Sequence, residues 1–326
     1  MHVAGLSRGN DVQWRDEIRG AVSGLAALTA VLLVLVSLNL DLPGQALLQT
    51  LRFHLAALML ALAVVLLLTR AFRRALVFLL IALGSAAEGG FSIYQMQQAR
   101  SVAAEAPRTP FIKVLSINIL NTNFENAAAI AERIKSSGAD IVVVMESLPL
   151  FEHLADLATV YPARAGCSEA KTCDLMLLSR TPLSNVEIQD LGPTWRNRLI
   201  SATTTVSGKS FTAVAAHMVK PYFDLAAVEE AHTLLRVLNA IDGPLVLTGD
   251  FNAAPWSDNI EWLVSEARLV TGPTYPATWP VPFGPLGVPI DNMFTRGGLF
   301  IDELRALDDP LGSNHRGLIA SLSLAN

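Results

Sequence analysis

The chain has 326 residues, a formal net charge of −5 and a 52% share of hydrophobic residues, with a mean hydropathy of +0.41. That apolar fraction is high for a soluble protein, and the acidic balance disfavours a duplex nucleic-acid binder, which presents a basic face. The sequence has no P-loop pattern and no HExxH motif, so a P-loop NTPase and a zinc peptidase of that class are not expected.

The apolar excess sits in the first hundred residues. Residues 21–40 carry no charge, 53–69 are apolar apart from His54, and 75–94 are apolar apart from Glu88. A hydrocarbon core of ~30 Å needs about 20 helical residues. Three transmembrane helices are therefore expected within 1–96, in preference to a buried hairpin of a soluble domain or a cleaved signal peptide. Arg8, Arg15 and Arg19 precede the first run, and Arg70, Arg73 and Arg74 crowd the link between the second and third. Basic residues stay on the cytoplasmic side. The reading is a multi-pass protein of the bacterial inner membrane, with the lipid bilayer as a partner and everything beyond the third span extracytoplasmic. Glu88 is expected to face the other helices or the outer interface, unless it is a functional intramembrane acid.

Residues 97–110 are polar, Ala-rich and contain Pro107 and Pro110, which suggests a linker. From 111 to 326 strands and helices mix. Strands are expected at 112–117, 140–145, 174–178, 199–206, 211–216, 245–248, 288–294 and 317–322, and helices at 125–137 and 224–239. Such a mixture suggests one α/β sandwich domain with a mixed sheet. From Pro107 onward there are 16 Lys and Arg against 23 Asp and Glu. Two cysteines, Cys167 and Cys173, are too far apart for a CxxC site and have no nearby His. A disulfide suits an oxidising compartment and is preferred to two unpaired thiols.

Polar residues recur where the apolar strands end. Asn118 ends "VLSIN", Glu146 ends "DIVVVME", His217 ends "FTAVAAH", and Asp250 and Asn252 end "LVLTGDFN". Asp291 lies in "VPIDNMF" and His315 in "GSNHRGL". Asp, Asn, Gly and Pro also form turns, and Ser257 could cap a following helix. Seven such residues, mostly at one end of the strands, point instead to a site.

The order "GDFNAAPWSD", then "ID", then "SNHR" resembles the endonuclease/exonuclease/phosphatase superfamily over about residues 111–325. The resemblance implies a four-layer α/β sandwich like that of deoxyribonuclease I, and divalent-metal-dependent hydrolysis of a phosphoester. The substrate would be a nucleic acid, a phospholipid or a small phosphoester, and no protein partner is expected. It implies that Glu146, aided by Asn118, binds Mg²⁺ or Mn²⁺. Asp250 would orient or deprotonate the attacking water, and Asn252 would hold the phosphate. His315, held by Asp291, would stabilise developing charge, while His217 would touch the phosphate or the leaving side. Two positions depart from the family. Asn314 stands where an Asp commonly helps bind metal, and Asn292 where His is frequent. They keep open a catalytically weak or inactive binding or scaffold module of the same fold.

Overall fold

The structure, a computed structural model, describes residues 6–38, 40, 42–222 and 225–326; of residues 6–12 only the backbone is described. Asn39, Asp41 and Asp224, which fall at or near the ends of expected segments, lie outside the described residues, as do residues 1–5 of the expected anchor.

Four helices come first: α1 (Leu6–Val36), α2 (Gln45–Thr50), α3 (Arg52–Leu68) and α4 (Phe72–Ala103). Pro43 and Gly44, the latter at φ 78°, break the chain before α2. Of the three expected spans, two reach full length. Two helical segments, Gln13–Val36 and Phe72–Ala103, are long and apolar enough to cross a membrane; α3 has 17 residues and falls short of that length. At 1.5 Å per residue it covers only about 25 Å.

This bundle is apolar outside as well as inside. Its core holds Ala26, Ala30, Met59, Leu62 and Ala82, while Leu28, Val31, Leu68, Leu76 and Leu80 stand exposed. Small residues let the helices approach closely. Arg19 donates to the Thr69 carbonyl and closes one end. Near the other end Arg52, 2% exposed, pairs with Glu88 at 3.1 Å and donates to the Val36 carbonyl. Glu88 thus faces a neighbouring helix. A Cβ on Gly89 would meet the Arg52 Cδ at 2.9 Å, so a larger residue there would displace the Arg52 side chain.

Residues 97–110 do not form a free linker. Helix α4 runs on to Ala103, and β1 begins at Arg108. Met96 enters the domain core, Gln97 donates to the Gly272 carbonyl, and Arg100 donates to the Thr271 carbonyl. This part of α4 is amphipathic against protein, which its mixed composition conceals.

The rest of the chain forms β1 (Arg108–Asn118), α5 (Ala127–Ser136), β2 (Ile141–Met145), α6 (Leu154–Leu157), β3 (Ala163–Gly166), β4 (Leu175–Ser179), β5 (Leu183–Gln189), β6 (Leu199–Val206), β7 (Lys209–His217), α7 (Ala226–Asn239), β8 (Leu245–Asp250), α8 (Asp258–Glu266), β9 (Val270–Thr271), β10 (Asp291–Arg296), β11 (Leu299–Ala306) and β12 (Leu318–Ala325). One sheet has the order β11-β12-β1-β2-β4-β3, the other β5-β6-β7-β8-β10-β9. The sheets pack face to face over one apolar cluster, with Val143, Leu177, Ala213, Val246 and Met293 at its heart. A second cluster lies beneath α5 and α6, and a third beneath α7, α8 and the end of α4. The result is the expected four-layer α/β sandwich.

Each sheet contains one parallel pair, β1/β2 and β7/β8, joined by crossovers through α5 and α7. These central strands are buried on both faces and carry near-continuous apolar runs. Their carboxyl ends lie at one edge of the sandwich, where they deliver the polar residues that close them.

Cys167 and Cys173 are disulfide-bonded, as expected. The bond lies behind the first sheet, with the Ser147 hydroxyl 3.1 Å from the Cys167 sulfur. Asp174 follows Cys173 directly at the start of β4, and its carbonyl accepts from the Ser147 N–H at 3.0 Å. The bond therefore helps fix where Asp174 sits.

Candidate active site

Register builds the site. On β7 and β8 His217 pairs with Asp250, and on β8 and β10 Asp250 pairs with Asp291. Directly opposed residues point to the same face. Three strands thus set His217, Asp250 and Asp291 side by side. From the facing sheet, β1 supplies Asn118, and Glu146 follows the end of β2.

Asp250 is the centre. It is 1% exposed, and its Oδ1 accepts from the Asn252 backbone N–H at 2.8 Å. Its Oδ2 accepts from the Asn118 amide at 3.0 Å. The same amide donates to Glu146 Oε1 at 3.1 Å, and Glu146 Oε2 accepts from the Asn121 N–H at 2.8 Å. Asn118 therefore ties the two sheets together at the site. Glu146 and Asn252 are both held at positive φ, 53° and 52°, a conformation that costs energy in non-glycine residues and is concentrated at functional sites.

Two histidines flank Asp250 almost symmetrically. His217 Nε2 lies 3.9 Å from Asp250 Oδ2, and His315 Nε2 lies 3.8 Å from the same oxygen. Each ring is held from behind by a carboxylate: Asp174 Oδ2 is 2.7 Å from His217 Nδ1, and Asp291 Oδ2 is 2.8 Å from His315 Nδ1. Arg198 pairs with Asp174 at 3.1 Å. The loop carrying His315 is pinned by Ser313, whose hydroxyl donates to the Asn118 carbonyl at 2.7 Å.

Charge follows from this packing. Burial disfavours the charged form of His315. The neighbouring carboxylates Asp291 and Asp250, the hydrogen bond to Asp291, and Glu146 outweigh it and push the imidazole up to about 9. Burial likewise opposes ionisation of Asp174, yet its bond and charge pairing with His217, together with Arg198, hold it below the usual carboxylate range. For Asp250 burial comes first and the charge of Asp291 second; together they raise its pKa against the pull of His315 and His217.

The structure brings His217, Asp250, Asn252, Asp291, His315, Asn118 and Glu146 together at one edge of the sandwich. Asn314 directly precedes His315. Its side chain is exposed, and its backbone carbonyl accepts from the Val281 N–H at 3.3 Å. Asn292 is buried, and its amide donates to the carbonyls of Ala253 and Pro289. Sequence reasoning missed Asp174. A search over strand ends overlooks it, because it opens a strand. In an antiparallel neighbour the start of one strand lies beside the end of the next, and Leu175 of β4 pairs with Met145 of β2.

Could the site take a divalent cation? The Asp250 and Asp291 carboxylates, with His315, form a group whose donor atoms lie within 4.8 Å of one another; while His315 is charged the carboxylates alone could bind a cation, and Asp291 Oδ1 is buried with no partner. Each Glu146 oxygen accepts one N–H and keeps lone-pair capacity. An oxygen-rich, strongly anionic set of this kind fits a hard dication.

The His315 pKa has a consequence for stability. A folded-state value of about 9 against an ordinary 6.5 means that charged His315 stabilises the fold fully below about pH 6.5, and that this contribution is lost as pH rises through about 9. The melting temperature of the full chain in detergent should fall between these limits. In His315→Gln the curve should be flatter over the same window. Parallel curves for the two proteins would show that His315 is not held in its charged form.

Residues 115–315 match the model of the Endonuclease/Exonuclease/phosphatase family. No curated protein sequence matches the chain. Among solved structures, sphingomyelinase C from Streptomyces griseocarneus superposes with a TM-score of 0.52 at 19% identity, over 67% of this chain and 100% of that one. The endonuclease/exonuclease/phosphatase from Bacteroides vulgatus gives 0.53 at 20% identity, over 66% and 100%. That from Beutenbergia cavernae DSM 12333 gives 0.50 at 20% identity, over 67% and 72%. At these identities the superpositions establish the fold, while the family match spans more than half of the chain. The chain belongs to the endonuclease/exonuclease/phosphatase family.

Proposed function

We propose that this protein is a membrane-anchored, divalent-metal-dependent phosphoester hydrolase whose catalytic domain lies outside the cytoplasm. The observation that carries the reading is Asp250: one buried carboxylate between two His–Asp pairs, tied through Asn118 to Glu146. A cleft of about 510 Å³, lined by Glu146, Asp174, His217 and Asn252, opens beside it.

In this reading Asp250 takes the proton of the attacking water, and its raised pKa makes it a stronger base than an exposed carboxylate. Charged His315 faces the phosphate and stabilises the negative charge that builds on its oxygens. Asn252 has one amide hydrogen committed to the Met218 carbonyl at 2.8 Å and keeps the other for a phosphate oxygen. His217 serves the leaving side. Glu146 would hold Mg²⁺ or Mn²⁺, oriented by Asn118, with Asn314 as a further proposed ligand; the ion would supply Lewis-acid polarisation of the phosphoester.

Membrane anchoring is supported by the exposed leucines and valines of α1, α3 and α4, which would face lipid. The basic residues support the orientation. Arg19, Arg70, Arg73 and Arg74 lie at the end of the bundle away from the catalytic domain. The cleft rim carries Trp195 and Tyr222, 50% and 48% exposed, and a Cβ on Gly44 would lie 2.4 Å from the Tyr222 carbonyl oxygen. The rim therefore touches the turn between α1 and α2. This closeness favours a phospholipid or another phosphoester presented at the bilayer over a nucleic acid. The rival reading, a catalytically weak or inactive scaffold, loses support at Asn292, which braces the loops around Ala253 and Pro289.

The full chain should hydrolyse bis(p-nitrophenyl) phosphate with Mg²⁺ or Mn²⁺ and lose that activity in EDTA. Glu146→Gln should lower the rate by orders of magnitude and raise the metal concentration needed. Activity that resists EDTA would sink the metal assignment. Topology is tested separately: a C-terminal alkaline phosphatase fusion should be active and a C-terminal green fluorescent protein fusion dark. The opposite pattern would place the domain in the cytoplasm.

A further inference from the structure

The loop that carries the catalytic Asp250 and Asn252 is not held by its own domain alone. After Asn252 it runs through Ala253, Ala254, Pro255 and Trp256 to Ser257, then enters α8. Two of its donors, and the first N–H of α8, point at α2, the short helix between α1 and α3. The Ala254 N–H donates to the Thr50 hydroxyl at 2.9 Å, and the Trp256 indole N–H to the Gln49 carbonyl at 3.1 Å. The Asp258 N–H donates to Gln49 Oε1 at 3.0 Å, while Gln49 Nε2 donates back to Asp258 Oδ2 at 2.5 Å.

These bonds replace what local sequence would ordinarily supply. Ser257 stands at the N-cap of α8, but its hydroxyl makes no capping bond; it donates to the Ala254 carbonyl and to Asn259. Gln49, 209 residues away, caps the helix in its place. Gln49 and Thr50 are each 1% exposed, and Phe53 packs edge-on against Trp256 at 5.0 Å. Polar groups buried at this contact need those partners. Upstream, Asn252 is held at φ 52°. A backbone in such a conformation persists only where its surroundings over-determine it.

We infer that Gln49 and Thr50 are positioning residues of the active site, and that the apolar N-terminal segment is part of the catalytic scaffold as well as a tether. Catalysis is sensitive to displacements of about 1 Å. If Thr50 stops accepting from Ala254, Asn252 and Asp250 shift relative to His217 and His315, although neither Thr50 nor Gln49 touches substrate. The inference rests on the hydrolase reading for its kinetic consequence and on geometry alone for its structural one.

The test uses the full chain in detergent or in lipid nanodiscs. Thr50→Val removes the acceptor at nearly constant volume; Thr50→Ser retains it. With bis(p-nitrophenyl) phosphate, Thr50→Val should lose about tenfold or more in kcat with KM little changed, and Thr50→Ser should restore most of the rate. In hydrogen–deuterium exchange, Thr50→Val should lose protection at residues 251–258 while the other strands of the domain keep theirs. Unchanged kcat together with unchanged exchange overturns the inference. So does loss of protection throughout the domain, which would make the contact a matter of stability only. If Thr50→Val does not fold, Gln49→Met, read by the same two measurements, decides; failure of both to fold also overturns it. A wild-type chain with no turnover on any phosphoester would sink the hydrolase reading, and the exchange pattern would still decide this one.

Discussion

Burying the carboxylate of Asp250 costs several kcal/mol unless donors and opposite charge are brought to it. The polar edge of the sandwich is organised around that requirement. The Asn252 N–H and the Asn118 amide satisfy its oxygens, and two imidazoles stand just under 4 Å from one of them. Each imidazole in turn needs a carboxylate behind it, which brings Asp174 and Asp291 into the site. Four acidic groups then share a small volume, with Arg198 and the histidines to balance them. An interior so anionic is suited to a cation, and a cation there, together with the charged imidazole, would offset the negative charge that grows on a reacting phosphate.

The two sheets are joined at the site through Asn118 as well as by the apolar core. The apolar N-terminal segment meets the same edge of the molecule. The end of α4 completes the core beneath the second sheet, and α2 covers the loop after β8. Removing residues before β1 would strip Met96 from that core and expose Trp256, so the soluble-looking half is not an independent block.

Much of this was legible in the sequence because the central strands are apolar on both faces and stop at a polar residue. The strands ending at Asn118, His217 and Asp250 have that form, and β2 reaches it one residue on, at Glu146. Four other strands lack it. β5 is exposed along most of its length, β3 and β9 have four and two residues, and β11 is interrupted by a bulge near Asp302. None of these gives an alternating or continuous apolar signal. The partners within the site were legible only by resemblance. Asn118 and Asp250 are 132 residues apart, and nothing local announces their bond. Asp174 stayed hidden because the chemistry was sought at strand ends, and α4 outran its apolar run because its last turns pack on protein through Met96 and Arg100. Of the three expected spans, α3 is apolar beyond His54 but, at 17 residues, is shorter than the other two.

The central claim is that water, activated at Asp250, attacks phosphorus. Turnover of a phosphodiester by the full chain in ¹⁸O-labelled water tests it most directly, read by mass spectrometry of both products. The account predicts that label enters the phosphoryl product, one atom per bond cleaved, and none enters the released alcohol. Label in the alcohol would place the cleavage at carbon and contradict the role assigned to Asp250 and to the charged imidazole beside it.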